Sequence, residues 1–189
     1  MVTRIAFCLV WLTTPLTATT VQRFDLAALT ANAERIVVGV CRQAQPQWMR
    51  GQIYTRYVFS VSQTIKGPAI AQLELHLPGG HLQGAVTRIV GMPVFVPGDE
   101  AVLFLTAANA LGHSWPVGLA QGHFAIKRSA ANRPHVFQEL DGLALHTEPH
   151  SASKKAPPDE PVQGMPLDQF LARVRALTQD QSPETRDAH

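Results

Sequence analysis

The strongest constraint on this chain is a two-residue alternation in its centre. Tyr57, Phe59, Val61 and Ile65 share one parity, and Arg56, Ser60, Ser62, Thr64 and Lys66 share the other. Successive side chains of an extended strand point to opposite faces, so this pattern predicts a strand with one buried and one wet face. Leu73, Leu75 and Leu77 repeat the pattern against Gln72, Glu74 and His76. Lys66-Gly67-Pro68 supplies the turn between the two strands, and Pro78-Gly79-Gly80 stops the second.

Two further segments, Ile36 to Cys41 and Ala101 to Leu105, are apolar on both parities. They predict strands covered on both faces. Residues 42–52 read as a polar connection holding Pro46, Trp48, Met49 and Gly51. A weaker strand is expected through Val86, Ile89 and Val90, and another at Val94 to Val96. Pro97-Gly98 fits the central positions of a type II turn, where the second residue needs a positive φ. Later strands are expected near Val117 to Leu119, His123 to Lys127 and Val136 to Leu140, with Asp141-Gly142 as a turn. Many short strands separated by turns predict a mainly β fold, a small closed or partly open barrel, with a β-sandwich as the alternative.

The ends of the chain differ from this centre. Residues 1–20 carry one charge at Arg4, an unbroken apolar run from Ile5 to Leu12, and small residues around Ala18 and Thr20. That is the layout of a secretory signal peptide. The run falls well short of the roughly 20 residues of a spanning helix, and no membrane span is expected in the mature chain. The protein should therefore be secreted or periplasmic. Phe24 to Glu34 reads as a short N-terminal helix with Asp25 near its start. Residues 21–146 form the expected barrel domain. Residues 147–164, rich in Ser, Lys and Pro, read as a flexible linker. Residues 165–178 read as an amphipathic helix with Leu167, Phe170, Leu171, Val174 and Leu177 as its stripe. Residues 179–189 are expected to be a disordered tail.

Of the two cysteines, Cys8 lies in the expected signal, which leaves Cys41 without an internal disulfide partner and suited to a small core position. Removing Arg4 with the signal takes the net charge from +2 to +1. So weak a field excludes the electrostatic footprint of a nucleic-acid binder, and Tyr54 and Tyr57 point to opposite strand faces rather than forming a stacking platform.

The ordered strings Ala33-Glu34-Arg35-Ile36-Val37-Val38-Gly39, Ile65-Lys66-Gly67, Leu77-Pro78-Gly79-Gly80, Gly91-Met92-Pro93-Val94-Phe95, Gly98-Asp99-Glu100, Leu103-Phe104-Leu105 and Gln121-Gly122-His123-Phe124 resemble a group of uncharacterised secreted bacterial β-barrel proteins. The resemblance covers residues 25–128. More distantly, the chain is similar to netrin-like modules and tissue inhibitors of metalloproteinases, which implies an OB-type barrel. Those inhibitors chelate their target's zinc through a mature Cys-x-Cys terminus. The expected new terminus here, Thr19 to Gln22, has no cysteine, so that chemistry does not transfer.

Candidate site residues are few. His76 and His81 flank the Pro78-Gly79-Gly80 turn, with Glu74 on the His76 face, and are the weak metal candidates. They lack a tight ligand motif, so no metal or other cofactor is expected. His123 reads as an ordinary exposed strand residue. No Gly-x-Ser-x-Gly elbow and no phosphate loop is present. Ser114 beside His113 is not a dyad by adjacency, and Glu139 with Asp141 reads as turn-flanking charge. No catalytic residue is assigned. Trp48 and Met49 are the candidate contact residues for an unknown protein or glycan partner, with the alternative that Trp48 folds back over the barrel end. Phe170 and Val174 join them if the C-terminal helix docks on a partner rather than on the barrel. The expected function is an exported non-enzymatic binding or accessory module of unknown ligand, with an extracellular protease as one associate to consider, and it rests on the absence of a catalytic constellation in the sequence. The alternative is a secreted hydrolase or metal-dependent enzyme with a site assembled from dispersed histidines and acids. If residues 1–20 are a signal, N-terminal sequencing of the stable protein should find a start between residues 19 and 22, and retention of Met1 contradicts it.

Overall fold

The computed structural model describes residues 21–140, 145–146 and 162–180. The expected signal at 1–20, residues 147–161 of the expected linker, and the tail beyond 180 lie outside these residues. The elements in chain order are β1 (Val21–Gln22), α1 (Leu26–Asn32), β2 (Arg35–Met49), β3 (Gln52–Lys66), β4 (Gln72–Pro78), β5 (Gly80–Leu82), β6 (Ala85–Thr87), β7 (Glu100–Leu105), β8 (His123–Arg128), β9 (Pro134–Gln138), β10 (Leu145–His146), β11 (Met165–Pro166) and α2 (Leu167–Asp180). A short 3-10 turn at Leu119–Gly122 leads into β8.

The fold is mainly β. Seven strands form one sheet in the order β11-β9-β8-β7-β2-β3-β4, and every neighbouring pair is antiparallel. β5 pairs with β6, and β1 pairs with β10 in parallel, as separate two-stranded sheets. β11 and β4 end the large sheet and do not pair with each other, so the barrel is not closed. Nor do the described residues form two comparable sheets, as the sandwich alternative requires; the other two sheets have two strands each.

The centre of the sheet is β2 beside β7, and its two faces feed two separate cores. Ile36, Val38, Val102 and Phe104 face one side, with Phe124, Ile126, Val136 and the helices. Val37, Cys41, Leu103 and Leu105 face the other, with Tyr57, Phe59, Leu73, Leu75, Leu77, Met92 and Phe95. The apolar runs on both parities of these strands are the sequence form of this two-sided burial. Gly39 is required where β2 shifts register on β3, because a Cβ there would stand 2.9 Å from the Ser60 carbonyl oxygen.

The helices cover the first face. Asp25 caps α1, its Oδ1 accepting from the Ala28 N–H at 2.6 Å. α2 lies against α1 and buries Phe170, Leu171 and Val174, with Phe170 and Val174 at zero exposure. Phe170 meets Phe124 at 4.8 Å and Phe104 at 6.3 Å between ring centroids. An isolated helix of this length is marginal in water, and the chain's own core supplies the missing contact. The helix runs to Asp180, two residues beyond its expected end. The end of the expected linker is built into the sheet, since the Gly164 N–H donates to Val136 O at 2.9 Å.

Several local expectations are corrected. β2 continues through residues 42–49 to pair with β3, so Trp48 and Met49 stand on a strand and not in a loop. The intervening turn is Arg50-Gly51, with φ 52° and 78°. β7 accompanies β2 only from Arg35 to Val40, so Pro46 lies where the strand has one neighbour and its missing N–H is tolerated. Residues 94–96 and 117–119 are not strands, and residues 86–90 contribute only β6. The Pro97-Gly98 turn forms as expected, with Gly98 at φ 105° and the Asp99 N–H donating to Val96 O at 3.1 Å. Truncating Phe170→Ala should destabilise the domain by about 3–5 kcal/mol, as for a buried aromatic. A urea midpoint within error of wild type contradicts the docked position of α2.

Candidate functional site

β3 and β4 carry the polar side of their alternation on the face opposite the second core. Across three strands this sets Gln45, Arg56 and His76 side by side, with Gln47 and Glu74 flanking them. Arg56 and Glu74 form an ion pair, and His76 Nε2–H donates to the other Glu74 oxygen at 2.7 Å. Gln47 Nε2 lies 3.4 Å from His76 Nδ1. The Arg56 and His76 hydrogen bonds hold the Glu74 carboxyl down to about 2, so it is ionised at any physiological pH.

The loop from Thr106 to Pro116 adds a second histidine. It begins and ends at β7, through the Leu105–Pro116 bridge and the Thr106 N–H donating to Trp115 O at 2.8 Å. Asn109 Oδ1 shapes its tip by accepting from the N–H groups of Leu111 and His113 at 2.9 and 3.1 Å. Trp115 packs in the second core while its Nε1–H donates to the His76 carbonyl at 3.1 Å. His113 stacks on the His76 ring, with centroids 4.6 Å apart and planes within 10°. The loop thus hooks around β4, the last strand of the sheet. His113 Nδ1 is buried without a hydrogen-bond partner among the described residues. Removal from water, with repulsion from His76 and Arg50 added, lowers the pKa of His113.

This cluster orients an imidazole but does not assemble a hydrolytic triad. Glu74 fixes the tautomer of His76, yet the second ring nitrogen faces the Gln47 amide instead of a hydroxyl or thiol. His81 takes no part; it stands exposed on β5 opposite Val86. Among the described residues no three of His, Cys, Asp and Glu gather as metal ligands. Glu139 pairs with Lys127 at 2.5 Å, and Asp141 lies outside the described residues. Cys41 is buried in the second core, and burial raises its thiol pKa, which suits packing and opposes reactivity.

Trp48 is 55% exposed at the end of β2, so it does not fold back over the core. Met49 is half-buried beside it. Phe170 and Val174 are unavailable as partner anchors, because the chain's own core consumes them. A separate cleft of about 560 Å³ lies between β9, β11 and α2, walled by Pro134, Pro166, Leu167 and Leu171, with Arg133, His135, Asp168 and Gln169 as its polar groups.

Sequence reasoning missed a second feature, the apolar outer side of segment 86–96. Val86, Ile89, Val90, Val94 and Val96 are 71, 40, 66, 71 and 58% exposed. The segment is nevertheless pinned. Phe95 inserts edge-on between Tyr57, Phe59 and His123 at 4.9–5.2 Å. The Ala120 N–H donates to Gly91 O, and Cys41 exchanges two hydrogen bonds with Gly98 and Asp99. Val94 and Val96 flank the inserted Phe95 and point outward, a sequence alternation that signalled an exposed face once Phe95 was placed inside.

His123 was expected to be exposed and is 7% exposed, on β8 opposite Leu103 and under Phe95. Burial drives its pKa down to about 4, against pulls from Glu139 and Asp99. A histidine buried neutral favours the folded state fully above its ordinary value near 6.5, and that contribution is lost as pH falls from there through about 4. The loss should be roughly 3 kcal/mol. Stability measured by urea unfolding across this range should fall less in His123→Leu than in wild type; parallel curves contradict the burial.

Comparison with known proteins finds no matching family model, no matching curated protein and no matching solved structure.

Proposed function

We propose that the chain is an exported, non-enzymatic binding module on a curled sheet of OB type, and that its partner is a protein engaged through the outer side of segment 86–96. The observation that carries this reading is the mounting of that segment. Five branched aliphatic side chains face water, while the backbone between them is fixed by Phe95 and by the Ala120–Gly91 bond, and just beyond Val96 by the bonds of Gly98 and Asp99 to Cys41. Apolar surface costs free energy in water, and a contiguous exposed patch on a small domain marks an interaction site. A pre-ordered patch gives up little conformational freedom on binding. Gly80 packs on Pro46, Ile53 and Thr55, so the β5–β6 hairpin rests on the arm that ends in Trp48, which serves as an aromatic anchor at the margin.

The layout of residues 1–20 supports export, to the periplasm or the medium. The Trp115–His76 bond and the Leu105–Pro116 bridge link β7 to the far edge strand, which supports a partly open barrel of OB type. An extracellular protease is one protein partner consistent with this setting. The triple variant Val90→Ser, Val94→Ser, Val96→Ser leaves both cores intact. Each lost apolar contact is worth about 1.5–3 kcal/mol if buried in the complex. Capture of the wild-type partner from the exported fraction should therefore weaken by at least about a hundredfold. Unchanged capture by a folded variant contradicts the assignment.

A further inference from the structure

We propose that the stacked His76–His113 pair is a proton-operated clasp, which holds the 106–116 loop around the edge of β4 at neutral pH and releases it in acid. The loop meets β4 through two side chains. Trp115 donates its indole N–H to the His76 carbonyl at 3.1 Å, and His113 lies flat on the His76 ring at 4.6 Å. The first contact carries no titratable group. The second joins two imidazoles, and at that separation two positive rings repel.

Burial and the surrounding charges together disfavour a proton on His113. On β4, Glu74 accepts a hydrogen bond from His76, and its charge alone favours a proton on His113. On β3, Arg56 is spent on the same carboxylate. On β2, Gln47 faces His76 Nδ1 and is uncharged. At the β2–β3 turn, Arg50 repels a proton on His113. Among the described residues no carboxylate is bonded to His113, and its buried Nδ1 has no hydrogen-bond partner. A proton on His113 is therefore paid for by leaving the stack.

The sign follows from the lowered value of His113. The clasp is at full strength above the ordinary imidazole value of 6.5 and weakens as pH falls from there through the lowered value. Once released, the backbone edge of β4 is open to pairing by another strand. This opening is local and differs from the acid loss at His123, which is buried against Phe95 and acts on the whole domain.

Hydrogen exchange on the full chain separates the two. Protection of the β4 and 106–116 amides, taken relative to the β2 amides, should fall between about pH 7.5 and about pH 5. The expected change is about tenfold for each pH unit by which the clasp lowers His113. His113→Phe keeps a ring in the stack but carries no proton, so its relative protection should stay level. No relative fall in wild type, or an equal fall in His113→Phe, overturns the clasp. If that variant does not fold, the wild-type NMR titration decides. The Trp115 indole N–H resonance must shift in step with the His113 ring, and a titrating His113 that leaves it unmoved overturns the proposal.

Discussion

Burial of both faces of β2 and β7 is the constraint on which the remaining architecture depends. Ile36, Val37, Ala101, Val102, Leu103, Phe104 and Leu105 are all at zero exposure. Two adjacent apolar strands cannot expose either face, so each face must recruit its own cover. On one side the cover is α1 and α2, brought in from opposite ends of the chain. On the other side, among the described residues, no α-helix packs. The sheet supplies the cover itself, through β3, β4 and the inserted Phe95.

That second solution creates the surface features. A segment that seals the core with one large ring must cross its open side, and the neighbours of that ring then face water. Val94 and Val96 are exposed because Phe95 is buried. Likewise, β4 ends the sheet and needs protection from stray pairing. The loop after β7 provides it by reaching around the edge with Trp115 inside and His113 outside. The apolar display and the histidine stack are thus two consequences of covering a single sheet face without a helix.

The sequence made legible whatever depends on neighbours along the chain. The alternation in β4 and in β3 from Tyr57 to Val61, the two-sided runs in β2 and β7, the Asp25-capped helix and the stripe of α2 could all be read, because period and parity are local; Ile65, of the same parity as Phe59, instead packs on the helical side. What fails is long-range. Gln43, Gln45 and Gln47 alternate with Ala44, Pro46 and Trp48, yet the proline and the polar content obscured a strand whose second neighbour simply ends at Val40. His123 looked exposed because nothing local to it announces Phe95, which comes from a different part of the chain. The His76–His113 stack brings together residues from β4 and a distant loop, so no spacing rule could find it, whereas pairing His76 with His81 followed only from their nearness in sequence.

Segment 86–96 and its anchors are a rigid extension of the double-faced strands and not a loose loop. Native-state hydrogen exchange tests it directly. The Cys41 and Gly98 amides bond to each other's stretch, and the Ala120 amide bonds to Gly91. If the segment is mounted on the core, these amides exchange with opening free energies close to those of Val37 and Leu103, whose position in the fully buried central pair predicts opening only in global unfolding. If they exchange as freely as exposed loop amides while the central strands remain protected, the display is not built into the fold and the account is contradicted.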